Sequence, residues 1–410
     1  MKLDFYHINE KVCGHALCLA FFSILISTAA LNIGIVLSVI TGCIILVGDK
    51  KFFEFFIKDK IGLSVVTLVF LFLISSLYTI ASFDEAILSL KKYIKFLYIP
   101  VCYYILQIDW IRNKAINYFI SGCTIILILS YLKYYGFVQP SLFAKIANAF
   151  GAGYDERLLR GVTIFHHSIV HGIVLSFYFI ITFLRGKKTN NKLYYLLSFL
   201  CFHNILFMNI SRTSYLIISV LFILIMYNYF KNENYKQILI IFIFLSFSFI
   251  IGNKSIIHER YDRTLQDLSY IKDNSFNTSL GLRYIWAENG IANMIIKPIF
   301  GHGVGSYKST IANYYSKNNL NLKDCCLTQN PHNEFISIST QTGLLGLLTF
   351  FGFIYLLIKD FYRTEIGKSV ITIIIISSSF NSLFYDNVMG LFAVLIISLT
   401  MKKMNGVETK

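Results

Sequence analysis

Long apolar runs alternate with short polar turns along almost the whole chain of 410 residues. A helix that crosses a bilayer needs roughly 20 mostly apolar residues. Twelve runs approach that length, at about 12–28, 30–48, 61–80, 93–107, 115–136, 161–184, 192–209, 213–230, 236–252, 334–358, 368–384 and 386–401. Lys95 and Pro100 interrupt the fourth, and the break near Ala30–Asn32 is soft. The pattern predicts an all-α polytopic membrane protein of about twelve helices. Nine fall in 1–252 and three in 334–401; a large polar segment separates them at 253–333, and a tail follows at 402–410. The first run is read as a retained helix, because no small-residue cleavage site follows a short apolar core.

Composition supports the pattern. The chain is 56% hydrophobic and 14% charged, where a soluble domain carries about 25% charged residues. The net charge of +15 invites a nucleic-acid reading, which the placement of the charges excludes. Many basic residues sit in short loops and set topology. Lys50, Lys51, Lys58 and Lys60, then Arg112 and Lys114, then Arg185, Lys187, Lys188 and Lys192, then Lys359, Arg363 and Lys368 all fall on one side if even-numbered helices exit to the cytoplasm. Both termini are then expected inside. Six cysteines lie in or beside apolar runs and read as small buried hydrophobes. Cys325 and Cys326 are adjacent in the long loop, where a vicinal disulfide would be strained.

Two outward segments remain, 137–160 and 253–333. A loop of that second length usually carries function. Its stretches 258–272 and 282–297 have helical apolar spacing, with Leu282, Ile285, Trp286, Ile291 and Ile295 on the second. Gly301-His302-Gly303-Val304-Gly305 lacks a preceding strand and reads as a tight turn, not a nucleotide fingerprint.

The candidate chemistry collects in these outward pieces. Arg212 lies in a very short turn between two apolar runs, where an arginine is costly; a ligand role is favoured over a snorkelling anchor. Arg157, Arg160, Arg260 and Arg283 would each be a solvated charge if alone. Together with Arg212 they form an outward guanidinium set suited to phosphate oxygens. In Gln329-Asn330-Pro331-His332-Asn333-Glu334, Asn330 is expected to cap a helix and His332 to sit in its first turn. There His332 is either a neutral base or a polar residue satisfied at a helix start. His166, His167 and His171 form a second group, with His167 and His171 expected on one helix face. No carboxylate at the usual spacing accompanies them, so an auxiliary role is preferred to zinc.

In this order the motifs resemble the bacterial O-antigen ligase family, within the O-antigen ligase and polymerase superfamily. His332-Asn333 followed by Gly343-Leu344-Leu345-Gly346 is similar to that family's histidine signature. Ser211-Arg212-Thr213 is similar to its short arginine motif, and Glu259 to Gly290, with Arg260 and Arg283, to its long periplasmic loop. The resemblance implies a GT-C-like membrane glycosyltransferase in a Gram-negative inner membrane. It implies inverting transfer of a glycan from undecaprenyl diphosphate to lipid A–core at the periplasmic face, with no cofactor or metal. His332 would be the base, and Arg212, Arg260 and Arg283, with Arg157 and Arg160, would hold the diphosphate. The scheme needs no third catalytic group; on the sequence, Glu334 and Asp386 are the two carboxylates placed to orient the imidazole. The alternatives are an O-antigen polymerase, whose tandem Gly-rich arginine motifs are not clear here, and a transporter, which would place its charges near the bilayer midplane.

Overall fold

The computed structural model describes residues 2–47, 59–139, 162–229, 278–317 and 327–402, with isolated positions at 141, 142, 145, 148, 240, 243, 262 and 265–270. The expected run 236–252 falls mostly outside the described residues. Among the described residues the protein is a bundle of helices with no strand.

The helices, in chain order, are α1 (Lys2–Ser23), α2 (Thr28–Val47), α3 (Lys60–Ser75), α4 (Phe83–Tyr93), α5 (Tyr98–Ile105), α6 (Asp109–Tyr134), α7 (Ser168–Thr189), α8 (Lys192–His203), α9 (Arg212–Tyr229), α10 (Ser279–Ile296), α11 (Tyr307–Lys317), α12 (Glu334–Phe361), α13 (Glu365–Phe380) and α14 (Asn387–Thr400). Among the described residues five are long and apolar enough, by length and composition, to cross a membrane: α2, α6, α7, α9 and α12, the last before its internal break is taken into account. Helices α3, α14 and α8 with its extension to Met208 are apolar but shorter. Side-chain caps set many of the starts. Asp59 accepts the N–H groups of Ile61 and Gly62 ahead of α3, and Ser82 and Glu85 form a reciprocal capping box at α4.

The fourth apolar run is not one helix. A single 3-10 turn, Ile94–Leu97, joins α4 to α5. It carries a buried lysine, Lys95, whose position matters below. The stretch after α8 opens into a π turn at Asn204–Met208. There the Asn204 amide Nδ2 donates to Ser130 Oγ at 2.7 Å, and Asn204 Oδ1 pairs with His171 Nε2 at 3.1 Å.

The expectation of one spanning helix over 334–358 is corrected. Gly343 adopts φ 64°, ψ −158° inside α12 and breaks it. Phe335 stacks on Phe351 with ring centroids 5.4 Å apart and meets Phe350 at 5.6 Å. In a straight helix those residues would stand about 22–24 Å apart. Residues 334–342 therefore fold back against 344–361 as a re-entrant half-helix. The cause is local. Thr340 and Gln341 carbonyls accept the N–H groups of His302 and Gly303, and Leu344 N–H donates to Pro298 O at 2.7 Å. The glycine-rich turn 301–305, as expected a tight turn, thus braces the bend.

Helix α14 is apolar all round and buried over nearly its whole length, as a central helix must be. Its C-terminal end is tied to the basic end of the bundle. Arg112 donates to Leu399 O at 2.6 Å, Tyr103 Oη to Lys402 O at 2.6 Å, and Lys402 pairs with Asp360 at 3.4 Å. With 14 residues the helix is about 21 Å long. A bilayer core is about 30 Å thick. The N-terminus of α14 and the preceding turn, 381–386, therefore stop short of the opposite end. The half-helix 334–342 descends to meet them, and a recess is left above.

Candidate functional site

The recess is a cavity of about 510 Å³. Its wall takes residues from four places: Thr163, His167 and Ser168 at the start of α7, Ile210 before α9, Asn330 and His332 before α12, and Asn381, Ser382 and Asp386 between α13 and α14. The lining is mixed, with one imidazole pair, one carboxylate and several amides and hydroxyls.

His332 is held from three sides. Its own N–H donates to Asn330 Oδ1 at 2.9 Å, and it adopts φ 53°, rare for a residue with a side chain. Asn333, not Asn330, caps α12: Asn333 Oδ1 accepts the N–H of Ile336 at 3.0 Å, while its Nδ2 donates to Ser379 O at 2.8 Å. The expected first-turn placement is thus corrected. His332 precedes the helix by two residues, because the Asn330 side chain closes a turn on it instead of opening the helix.

The third constraint is Trp286 of α10. Its ring stacks on the His332 imidazole at 5.3 Å and 28°. Trp286 is fixed in turn by a small cluster with Tyr307, Ile311 and Tyr315, and Tyr307 Oη donates to Trp286 O at 2.5 Å. Burial first, and then the Arg283 charge, push the His332 pKa down to about 4, against the opposing pull of Asp386. The imidazole is neutral at neutral pH and available to accept a proton.

Arg283 stands one helical turn from Trp286. Its own pKa is lowered by burial and by the Arg212 charge. Arg212 opens α9 and pairs with Asp267 at 3.0 Å. Arg212, Arg283 and His332 thus form a chain of electrostatic neighbours, although neither arginine belongs to the cavity wall itself. Arg157, Arg160 and Arg260, with Cys325 and Cys326, lie outside the described residues.

The second histidine group separates. His167 precedes α7 and lines the cavity, whereas His171 is buried against Asn204. The two do not share a face. Among the described residues no three His, Cys, Asp or Glu side chains gather as a metal site. Of the two candidates to orient His332, Asp386 lines its cavity. Glu334 instead turns into the core, where Oε2 accepts the N–H groups of Phe384 and Tyr385 at 2.8 and 3.4 Å.

Sequence reasoning missed Trp286 as a site residue, along with Asn330 as a clamp and Asn381 and Ser382 as wall. The spacing of Trp286, three after Arg283, was the available signal. Nothing local marks 381–382, since their role depends on how short α14 is.

Residues 196–351 match the family model described as O-antigen ligase. The match spans α8 to the first turns of 344–361 and takes in Arg212, Arg283, Trp286 and His332. A protein of Haemophilus influenzae described as uncharacterized is 30% identical over 133 residues, which are 31% of this chain and 32% of that protein. The matched region is thus about a third of that relative's length.

Proposed function

Because residues 196–351 match the O-antigen ligase family model, we propose that this chain is an O-antigen ligase of a Gram-negative inner membrane. It moves a glycan from undecaprenyl diphosphate onto a sugar hydroxyl of lipid A–core, at the periplasmic face, as one of about twelve-helix GT-C-like enzymes. The carrying observation is His332, neutral and stacked on Trp286 at the wall of a recessed polar cavity, with Arg283 in electrostatic reach and Arg212 in turn in reach of Arg283.

The acceptor hydroxyl gives its proton to the His332 imidazole while its oxygen attacks the anomeric carbon. The bond from that carbon to the diphosphate oxygen breaks, and undecaprenyl diphosphate leaves with the electron pair. One displacement inverts the anomeric centre. Charge grows on the diphosphate, and fixed guanidinium groups answer it without reorganisation. Arg212 and Arg283 take that part, with Arg260, Arg157 and Arg160 as further members. The scheme calls on no metal and no nucleotide sugar.

The arginines also link binding to base strength. Arg283 disfavours protonated His332 in the free protein. A diphosphate bound at the arginines offsets that repulsion, so the imidazole becomes a stronger base once the donor is in place. The acid limb of kcat is then expected at higher pH than that of kcat/KM.

The test is His332→Ala in a host lacking its own copy, with membrane abundance confirmed. Loss of capped lipopolysaccharide, with long polymer accumulating on the lipid carrier, supports the reading. Long chains still reaching lipid A–core overturn the assignment of His332. Attachment of single repeat units only would make the chain a polymerase.

A further inference from the structure

Burying a charged side chain is costly unless its hydrogen bonds are met. The bundle buries two beside the site, and neither reaches the cavity. Glu334 has no solvent exposure and Lys95 has 6%. They form no salt bridge with each other, nor with any other described residue. Tyr93 hydrogen-bonds the Glu334 carboxyl, and both residues also direct a hydrogen-bonding atom at one three-residue stretch of backbone. Glu334 Oε2 takes the N–H of Phe384 and Tyr385. From the other side Lys95 Nζ donates to the carbonyl of Asp386 at 2.5 Å. Room for that amine is left by Gly390, where a methyl group would lie 2.7 Å from Lys95 Nζ.

The stretch so gripped is the turn that carries Asp386, whose side chain caps α14 through the Met389 N–H at 2.9 Å. It also forms the cavity wall facing His332. Glu334 lies two residues after His332. A single short segment therefore carries the imidazole and also fixes the wall opposite it.

We propose that Glu334 and Lys95 are positioning residues, a two-sided clamp that sets the distance between His332 and the 381–386 wall. This rests on the transferase reading above. The clamp acts through Asp386 and touches no substrate.

The experiment uses full-length protein in nanodiscs with a lipid-linked glycan donor and lipid A–core. Glu334→Ala, Glu334→Gln and Lys95→Met are each assayed alone and combined with Asp386→Asn. Glu334→Ala and Lys95→Met are expected to lower kcat by about 100-fold, as ångström-scale misplacement does, with the donor KM little changed. Glu334→Gln keeps a carbonyl acceptor for the Phe384 N–H and recovers most of the loss. In the Asp386→Asn background the same changes cost much less, because the clamp works through that turn. Amide exchange over 381–389 is expected to quicken in Glu334→Ala and Lys95→Met.

Wild-type kcat in both Glu334→Ala and Lys95→Met would overturn the clamp, as would losses that multiply unchanged onto Asp386→Asn. If Glu334→Ala does not fold, Lys95→Met and Glu334→Gln decide the matter. If the wild-type protein transfers no glycan, the transferase reading falls. The clamp is then judged on exchange alone, and unchanged exchange overturns it.

Discussion

At the scale of single residues, the site is an exercise in holding one imidazole in an unfavourable place. A non-glycine residue at positive φ costs on the order of 1 kcal/mol or more. Asn330, Asn333 and Trp286 together hold His332 there. The electrostatic signs then make paired predictions. Removing the Arg283 cation relieves a force that disfavours the imidazolium, so in Arg283→Gln the acid limb of kcat/KM should move to higher pH. Removing the Asp386 carboxylate withdraws a force that favours it, so in Asp386→Asn the limb should move lower. A pH–rate series on each variant reads both directions, and motion of both limbs the same way would contradict the arrangement. Trp286→Ala should lower kcat at least tenfold and also weaken the α10–α11 cluster, since losing a buried tryptophan typically costs about 3–5 kcal/mol. Trp286→Phe should retain more of both, judged by rate and by thermal unfolding.

At the scale of elements, the decisive feature is the bend at Gly343. A Cβ there would lie 2.3 Å from the carbonyl oxygen of Ile299, and the φ of 64° strains any side chain. Gly343→Ala should therefore lose several kcal/mol and leave little monodisperse protein by size-exclusion chromatography. Gly352→Ala, with nothing within 4 Å of its Cβ, is the control and should behave as wild type. The fold-back has its own test. Cysteines introduced as Phe335→Cys and Phe351→Cys should be joined by a short bifunctional thiol reagent, whereas a straight helix would hold them too far apart. The N-terminus of the half-helix 334–342, the positive end of its dipole, adjoins the recess through Asn330 and His332. Broken helices of this kind are a known way to bring backbone charge to a substrate inside a membrane protein.

At the scale of the whole molecule, the bundle has a basic end and a recessed end. Lys187 meets Glu365 and Tyr229, and Lys402 meets Asp360, at the first. Lys308 meets Glu85 at the second. If the positive end is cytoplasmic, Lys308→Cys should react with an impermeant maleimide applied from the periplasmic side, and Lys188→Cys only after the inner membrane is opened. The reverse result would turn the proposed site to the wrong compartment.

What the sequence by itself determined is the class of molecule: the period and length of its apolar runs demand helices packed in lipid. It also marked Arg212 as an arginine costly in a short turn between apolar runs, Arg283 as a member of an outward guanidinium set, and His332 as an imidazole at a helix start. It could not show that 334–358 is a hairpin, since a glycine inside an apolar run looks the same whether the helix continues or folds back. The bend exists because backbone from 298–303 supplies the partners that a continuous helix would have supplied to itself. Nor could the sequence say which of Glu334 and Asp386 faces His332. That choice was made by tertiary packing: Glu334 turns into the core onto the Phe384 and Tyr385 N–H groups, and Asp386 is left on the cavity wall. Hydrophobic pattern is a property of neighbours along the chain; the cavity belongs to segments separated by forty or more positions, and only tertiary packing brings those together.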